Sequence, residues 1–184
     1  GYSGFTGALV DTSGVYVCLS SQVTGEPAQT KAGRDYIKAV RRRENVSTLK
    51  ALWFDIDVKP NAYKTTEDAK AALFRVCTEA HLPMPTCAVL SGSGGLHVYW
   101  VLDRELTLDE WQPLADALAE CGKRHELQAD FGVTVDAVRV LRVAGTFNRK
   151  GDQNNPVQLI AMAPDKVSAV CQLMCHQRGA RVAK

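Results

Sequence analysis

Three stretches of the sequence concentrate the residue types that do chemistry. In Trp53-Phe54-Asp55-Ile56-Asp57, two acids stand at alternate positions. Side chains of a strand alternate between faces, so Asp55 and Asp57 are predicted to point one way while Leu52, Phe54, Ile56 and Val58 point into a core. Carboxylates held side by side on a rigid strand repel each other. A hard divalent cation, Mg²⁺ or Mn²⁺, removes that repulsion and takes oxygen ligands. Asp-x-Asp by itself is common, and two solvated acids on a half-buried strand is the plain alternative.

The second stretch is Ser91-Gly92-Ser93-Gly94-Gly95-Leu96-His97. Three glycines in one turn let backbone N–H groups come close to a phosphate. His97 opens the next strand at the mouth of this loop. It shares a face with Tyr99 and Val101, opposite the apolar Leu96, Val98, Trp100 and Leu102. From there it would touch an anionic ligand. No Gly-Lys-Ser/Thr follows, so this is not a Walker A loop. A flexible turn with a surface histidine is the competing account.

The third stretch opens with Asp130 and Asp136 and continues through Arg139, Arg142, Gly145, Thr146, Asn148, Arg149 and Lys150. Acids bind metals; arginines bind phosphate oxygens. A helix over 137–143 would put Arg139 and Arg142 on one face. A strand would let only one of them face the site. A salt-bridged surface explains the same residues without function.

These residues need elements to hold them. Val15–Leu19 and Ala51–Val58 read as strands, and residues 20–34, with Gly25, Pro27 and Gly33, as a loop. A helix is predicted over 65–80. Thr65 caps it with Asp68 as reciprocal partner, and Ala69, Ala72, Leu73, Val76, Cys77 and Ala80 form its apolar stripe. Cys87–Leu90 and His97–Leu102 form a hairpin across the glycine loop. A second helix follows Thr107, with Glu110 completing a capping box and Trp111, Leu114, Ala115, Leu118 and Cys121 facing inward. Pro113 predicts a later start or a kink. Residues 138–143 stay open between strand and helical turn. Val157–Met162 reads as a strand and 165–177 as a last helix, with Gly179 as its cap. This mixed order predicts an α+β domain with a partly antiparallel sheet.

Composition sets the outer bounds. At 184 residues the chain is one domain or at most two small ones. Hydrophobic residues at 46% and charged residues at 23% exclude a disordered chain. No run approaches the ~18 apolar residues of a membrane span, and no secretory signal is seen. The net charge of +2 excludes a strongly basic nucleic-acid coat. A nucleic-acid partner would need local patches, and Arg41-Arg42-Arg43 reads first as a solvated face. Six cysteines without a CxxC make no disulfide framework and fit a reducing cytoplasm. Cys171, Cys175 and His176 are better read as part of a terminal helix than as a zinc site. The opening Gly1-Tyr2, without Met, reads as a piece of a longer protein.

Together the three stretches resemble the archaeo-eukaryotic primase (AEP) superfamily, the primase-polymerase (PrimPol) domain of phage, plasmid and prophage replication proteins. That family carries hydrophobic-Asp-hydrophobic-Asp, then Ser/Gly-x-His in a hairpin, then a third Asp. The matching residues are Asp55-Ile56-Asp57, Gly95-Leu96-His97 and Asp130, and the tract Leu141 to Lys150 resembles the family's LRxPGTxNRK run with Ala144 in place of proline. The resemblance covers roughly residues 45–162.

It implies an α+β catalytic core with an RRM-like mixed or antiparallel sheet flanked by helices: residues 1–14 as a lead-in, 15–184 as a single primase-polymerase domain. It implies template-directed nucleotidyl transfer to a 3′-hydroxyl. Asp55, Asp57 and Asp130 would hold two Mg²⁺ or Mn²⁺ ions about 4 Å apart, with Asp136 as the alternative third carboxylate. Ser91, Ser93, His97 and Arg142, with Asn148, Arg139 and Lys150, would bind the triphosphate. The implied partners are a DNA template and primer, an NTP or dNTP, and a helicase domain in the same or a partner chain. The implied setting is cytoplasmic, at a nucleoid or a phage or plasmid replication site. Three readings compete. One is a non-catalytic single-strand-binding RRM-like module with Tyr99 and Trp100 as stacking platforms. Another is the repair-type polymerase branch of the same superfamily. The last is a rolling-circle-type nuclease, which wants His-x-His where this chain has Tyr99.

Overall fold

A computed structural model describes residues 14–150 and 154–163. Its strands are β1 (Tyr16–Cys18), β2 (Ser20–Gln22), β3 (Gly25–Gln29), β4 (Asp35–Ala39), β5 (Val46–Ile56), β6 (Cys87–Leu90), β7 (Leu96–Leu106), β8 (Val140–Arg142), β9 (Phe147–Asn148), β10 (Asn155–Pro156) and β11 (Gln158–Met162). The α-helices are α1 (Thr66–Glu79), α2 (Leu108–Arg124) and α3 (Phe131–Thr134). The fold is α+β. Its main sheet has the order β11-β6-β7-β5-β2, with every neighbouring pair antiparallel.

Apolar alternation decides how β5 and β7 pair. Leu52, Phe54 and Ile56 on one strand, and Val98, Trp100 and Leu102 on the other, are fully or almost fully buried. Each such side chain contributes about 1.5–3 kcal/mol by leaving water. A slip of one residue would turn the whole set to the other face, so the register is strongly specified. That register places Asp55 opposite His97.

Asp55's own face is not polar along its length. Trp53 is fully buried and packs on Trp111, ring centroids 5.1 Å apart. Trp53 Nε1 donates to the Val133 carbonyl and Trp111 Nε1 to the Ala51 carbonyl, both at 2.8 Å. Indole rings supply this area while each N–H finds an acceptor. α2 and α3 therefore cover β5 as far as Trp53.

Both helix starts follow their local signals. Thr65 with Asp68, and Thr107 with Glu110, form complete capping boxes. The second box starts α2 at Leu108, and the helix continues through Pro113, so the expected late start does not occur. The stripe of α1 is buried at Ala69, Ala72, Leu73, Val76 and Cys77.

Several expectations are corrected. Residues 20–34 are not a loop: they hold β2, β3 and the turn into β4. The hairpin is exposed on most of its length, so no burial alternation marks it in the sequence. β5 starts at Val46 because its first residues pair with β2, and it ends at Ile56 because the Asp57 N–H bonds to the Gln128 carbonyl at 3.3 Å. The ambiguous 138–143 segment contains a strand, β8, paired with β1. The expected last helix, with Gly179 and the Cys171, Cys175 and His176 cluster, lies outside the described residues.

Candidate active site

The site lies where β5 ends and β7 begins. Asp55 and His97 are cross-strand partners, and His97 Nε2 stands 3.5 Å from Asp55 Oδ1. The third acid arrives by backbone pairing. Residues 128–130 run beside the end of β5: the Asp130 N–H donates to the Asp55 carbonyl at 2.8 Å, and Ile56 bridges to Ala129. Asp130 also caps α3, with Oδ1 accepting from the Val133 N–H at 3.2 Å, and remains solvent-exposed. Asp136 caps a different turn: its Oδ1 accepts from the Val138 N–H at 3.1 Å, and its carbonyl from the Arg139 N–H.

Burial dominates the electrostatics. It raises the Asp55 carboxyl from 3.8 to about 6, with Asp57 and then Asp130 adding repulsion against the pull of Arg139 and Arg142. Burial also lowers His97 from 6.5 to about 4, assisted by Arg142 and Arg139. The imidazole is therefore neutral at pH 7, and its contact with Asp55 is not an ion pair there. His97 is 3% exposed, so it is not the surface histidine of the competing account.

Among the described residues, His97 Nδ1, Arg139 Nε and Arg142 Nε are buried nitrogens at this end of the molecule without a hydrogen-bond partner. Such atoms are rare in folded proteins, because a missing partner costs the full desolvation of the group. Both arginines act on Asp55 and His97. The strand rule would have admitted only one, but Arg139 precedes β8 and sits in the turn closed by Asp136. Arg142 lies over the Tyr16 ring, its guanidinium carbon 5.2 Å from the centroid, on the strand that pairs with β8.

The glycine loop is braced rather than flexible. The Ser91 N–H donates to the Gly95 carbonyl at 2.8 Å, and Thr66 Oγ1 to the Gly94 carbonyl at 2.8 Å. Ser91 Oγ lies 3.0 Å from Ser93 Oγ. Buried Asn148 spans two segments: Nδ2 donates to the Ser91 carbonyl at 3.1 Å and Oδ1 accepts from the Lys150 N–H at 3.2 Å. Gly92 has φ +78°, and a Cβ there would lie 2.7 Å from Asn148 Cβ and 2.9 Å from the Asn155 carbonyl oxygen. Only glycine fits without displacement. Lys150 is exposed.

Lys59 also meets this group of acids, a contact that sequence reasoning missed. Its Nζ lies 2.6 Å from Asp57 Oδ2. Among the described residues, no group of three or more His, Cys, Asp or Glu side chains is gathered to hold a metal. The donor chemistry still suits a hard cation: three carboxylates whose mutual repulsion is already visible at Asp55.

Of the two candidate stacking platforms, Tyr99 and Trp100, the second is closed off. Trp100 is fully buried, edge-on to Phe54, with Nε1 donating to the Pro83 carbonyl at 2.7 Å. It offers no face to a base.

No protein-family model matches the sequence, and no curated protein matches it. Solved structures match its fold. The AEP domain of the primase-polymerase of cyanophage S-2L aligns with a TM-score of 0.57 at 17% identity, over 78% of this chain and 69% of that one. The catalytic domain of primase RepB′, in complex with initiator DNA, aligns with a TM-score of 0.50 at 16% identity, over 81% and 67%. In another RepB′ crystal structure this chain spans 45% of the length, with a TM-score of 0.49 at 14% identity. The chain has the primase-polymerase AEP fold. Among the described residues no helix is long and apolar enough to cross a membrane.

Proposed function

We propose that residues 15–184 form the catalytic domain of a template-directed nucleotidyltransferase, a DNA primase or polymerase adding NTPs or dNTPs to a 3′-hydroxyl. The observation that carries this reading is the meeting of Asp55 with His97 beside Asp130, with two arginines whose buried Nε atoms lack partners, on an AEP-type fold.

Asp55, Asp57 and Asp130 would hold two Mg²⁺ or Mn²⁺ ions, which when bound neutralise charge at the reacting phosphates and acidify the attacking hydroxyl. The remaining work is positioning, as in other phosphoryl transfers. Arg142 and Arg139 bring charge and N–H donors to the triphosphate, with Arg142 lying over the Tyr16 ring. His97 stays neutral near pH 7, and its buried Nδ1, which has no partner among the described residues, is free to meet the nucleotide. Ser91 and Ser93 line the glycine loop, Asn148 holds that loop in shape, and Lys150 adds a cation at its edge. His97 is buried and Asp55 largely so, which lowers the local dielectric and strengthens the interactions made beside them. DNA template and primer are the partners this reading requires, together with a helicase domain in the same or a partner chain. A cytoplasmic replication site is the setting it implies.

The test is extension of a labelled primer–template with dNTPs or rNTPs, in Mg²⁺ or Mn²⁺, beside Asp55→Ala and Asp57→Ala. Metal-dependent, template-directed products lost in both variants are expected. Extension by either variant at matched folding would overturn the carboxylate roles.

A further inference from the structure

We propose that Lys59 is an internal counter-ion of the carboxylate cluster: its ammonium holds Asp57 while no divalent cation is bound, and passes to the nucleotide's phosphates once a cation takes Asp57. The inference rests on the carboxylate reading above and adds a residue to it.

Geometry singles out this lysine from the other surface cations. Its Nζ donates to Asp57 Oδ2 at 2.6 Å, yet half of its side chain is exposed and can change direction. The same ammonium also feels the charges of Asp130 and Asp55. Its backbone is fixed. The Lys59 N–H donates to the Tyr63 carbonyl at 3.0 Å, the Ala62 N–H to the Lys59 carbonyl at 2.9 Å, and Val58 bridges to Tyr63. Tyr63 Oη accepts from the Gln128 N–H at 3.1 Å, which ties this turn to the segment that delivers Asp130.

On its other side the turn abuts the glycine loop. A Cβ on Gly94 would lie 3.2 Å from Val58 Cγ1, and one on Gly95 would lie 2.9 Å from the Ile56 carbonyl. Lys59 is thus anchored between the acids and the glycine loop, with a flexible four-carbon stem that lets its point charge serve either anion. A dication at Asp57 would both displace and repel the ammonium, and the triphosphate becomes its next partner.

The experiment measures Mn²⁺ binding by electron paramagnetic resonance without nucleotide, then dATP binding by calorimetry in saturating Mg²⁺. Wild type is compared with Lys59→Met, Lys59→Arg, Asp55→Asn and Asp57→Asn, each checked for folding by circular dichroism. Lys59→Met is expected to bind Mn²⁺ about two- to fivefold more tightly, the range that exposed ion pairs contribute. It is expected to bind dATP more weakly by a similar factor, with Lys59→Arg restoring both. Unchanged or weaker Mn²⁺ binding in Lys59→Met, or unchanged dATP binding, overturns the role of Lys59. If the two Asp→Asn variants bind Mn²⁺ like wild type, the carboxylate reading itself falls and Lys59 falls with it.

Discussion

At the Val46 end of β5, buried Asn45 leaves nothing unmet. Its Oδ1 accepts from the Thr24 N–H and hydroxyl at 3.1 and 2.9 Å, and its Nδ2 donates to the Thr24 and Val40 carbonyls at 2.9 and 2.8 Å. This clamp ties the base of the β3–β4 hairpin to the sheet. At the other end, the Asp55 carboxyl is raised by burial and by its neighbours, and His97, Arg139 and Arg142 each keep a buried nitrogen without a partner. The same strand therefore ends once in a satisfied network and once in an unsatisfied one. Satisfied networks stabilise a fold; unsatisfied ones hold free energy that a ligand can release. That contrast is the reason for placing the proposed site at the second end.

Substitutions at the two ends should separate stability from activity. Asp55→Asn is expected to reduce primer extension to background. Its thermal midpoint at pH 8 should hold or rise, because a buried charge that the fold disfavours is gone. A loss of stability would break the contrast. Asn45→Ala is expected to do the reverse. It leaves the Thr24 and Val40 groups without partners and costs about 2–4 kcal/mol, read from urea unfolding, with extension per folded molecule unchanged.

Gly92→Ala tests whether the loop's shape belongs to the site. The positive φ and the contact with the Asn155 carbonyl should cost about 2–3 kcal/mol, and dATP binding in calorimetry should weaken beyond what the unfolded fraction explains.

In wild type the smallest effect is in pH. Asp55 has its folded pKa raised, so its contribution to stability is full at low pH and falls as pH rises from its ordinary 3.8 through about 6. His97 has its folded pKa lowered, so its contribution is lost at low pH and rises between about 4 and 6.5. The slopes oppose each other in nearly one window. Thermal midpoints from pH 4 to 6.5 should rise more steeply with pH in Asp55→Asn than in wild type, and fall in His97→Gln. Parallel curves would show that the two groups do not sense the burial assigned to them.

Local chemistry was legible in the chain. The Asp55 and Asp57 spacing, the capping boxes at Thr65 and Thr107, the stripe of α1 and the glycine turn depend on dihedral preference and near neighbours, which a sequence displays directly. The class of fold followed from the order of such segments. Packing decided the rest. Trp53 is buried on the acid's own face because α2 and α3 return to cover it. His97 is neutral because burial and the nearby arginines disfavour its charge. Asp130 reaches Asp55 through a backbone bond between distant segments, and Lys59 meets Asp57 because a turn closed by Tyr63 aims it there. Residue types and spacing determined which groups were present. Which of them meet, in what charge state and with which atoms left unpaired, was decided by contacts far apart in sequence, whose free energy exists only once the sheet is in register.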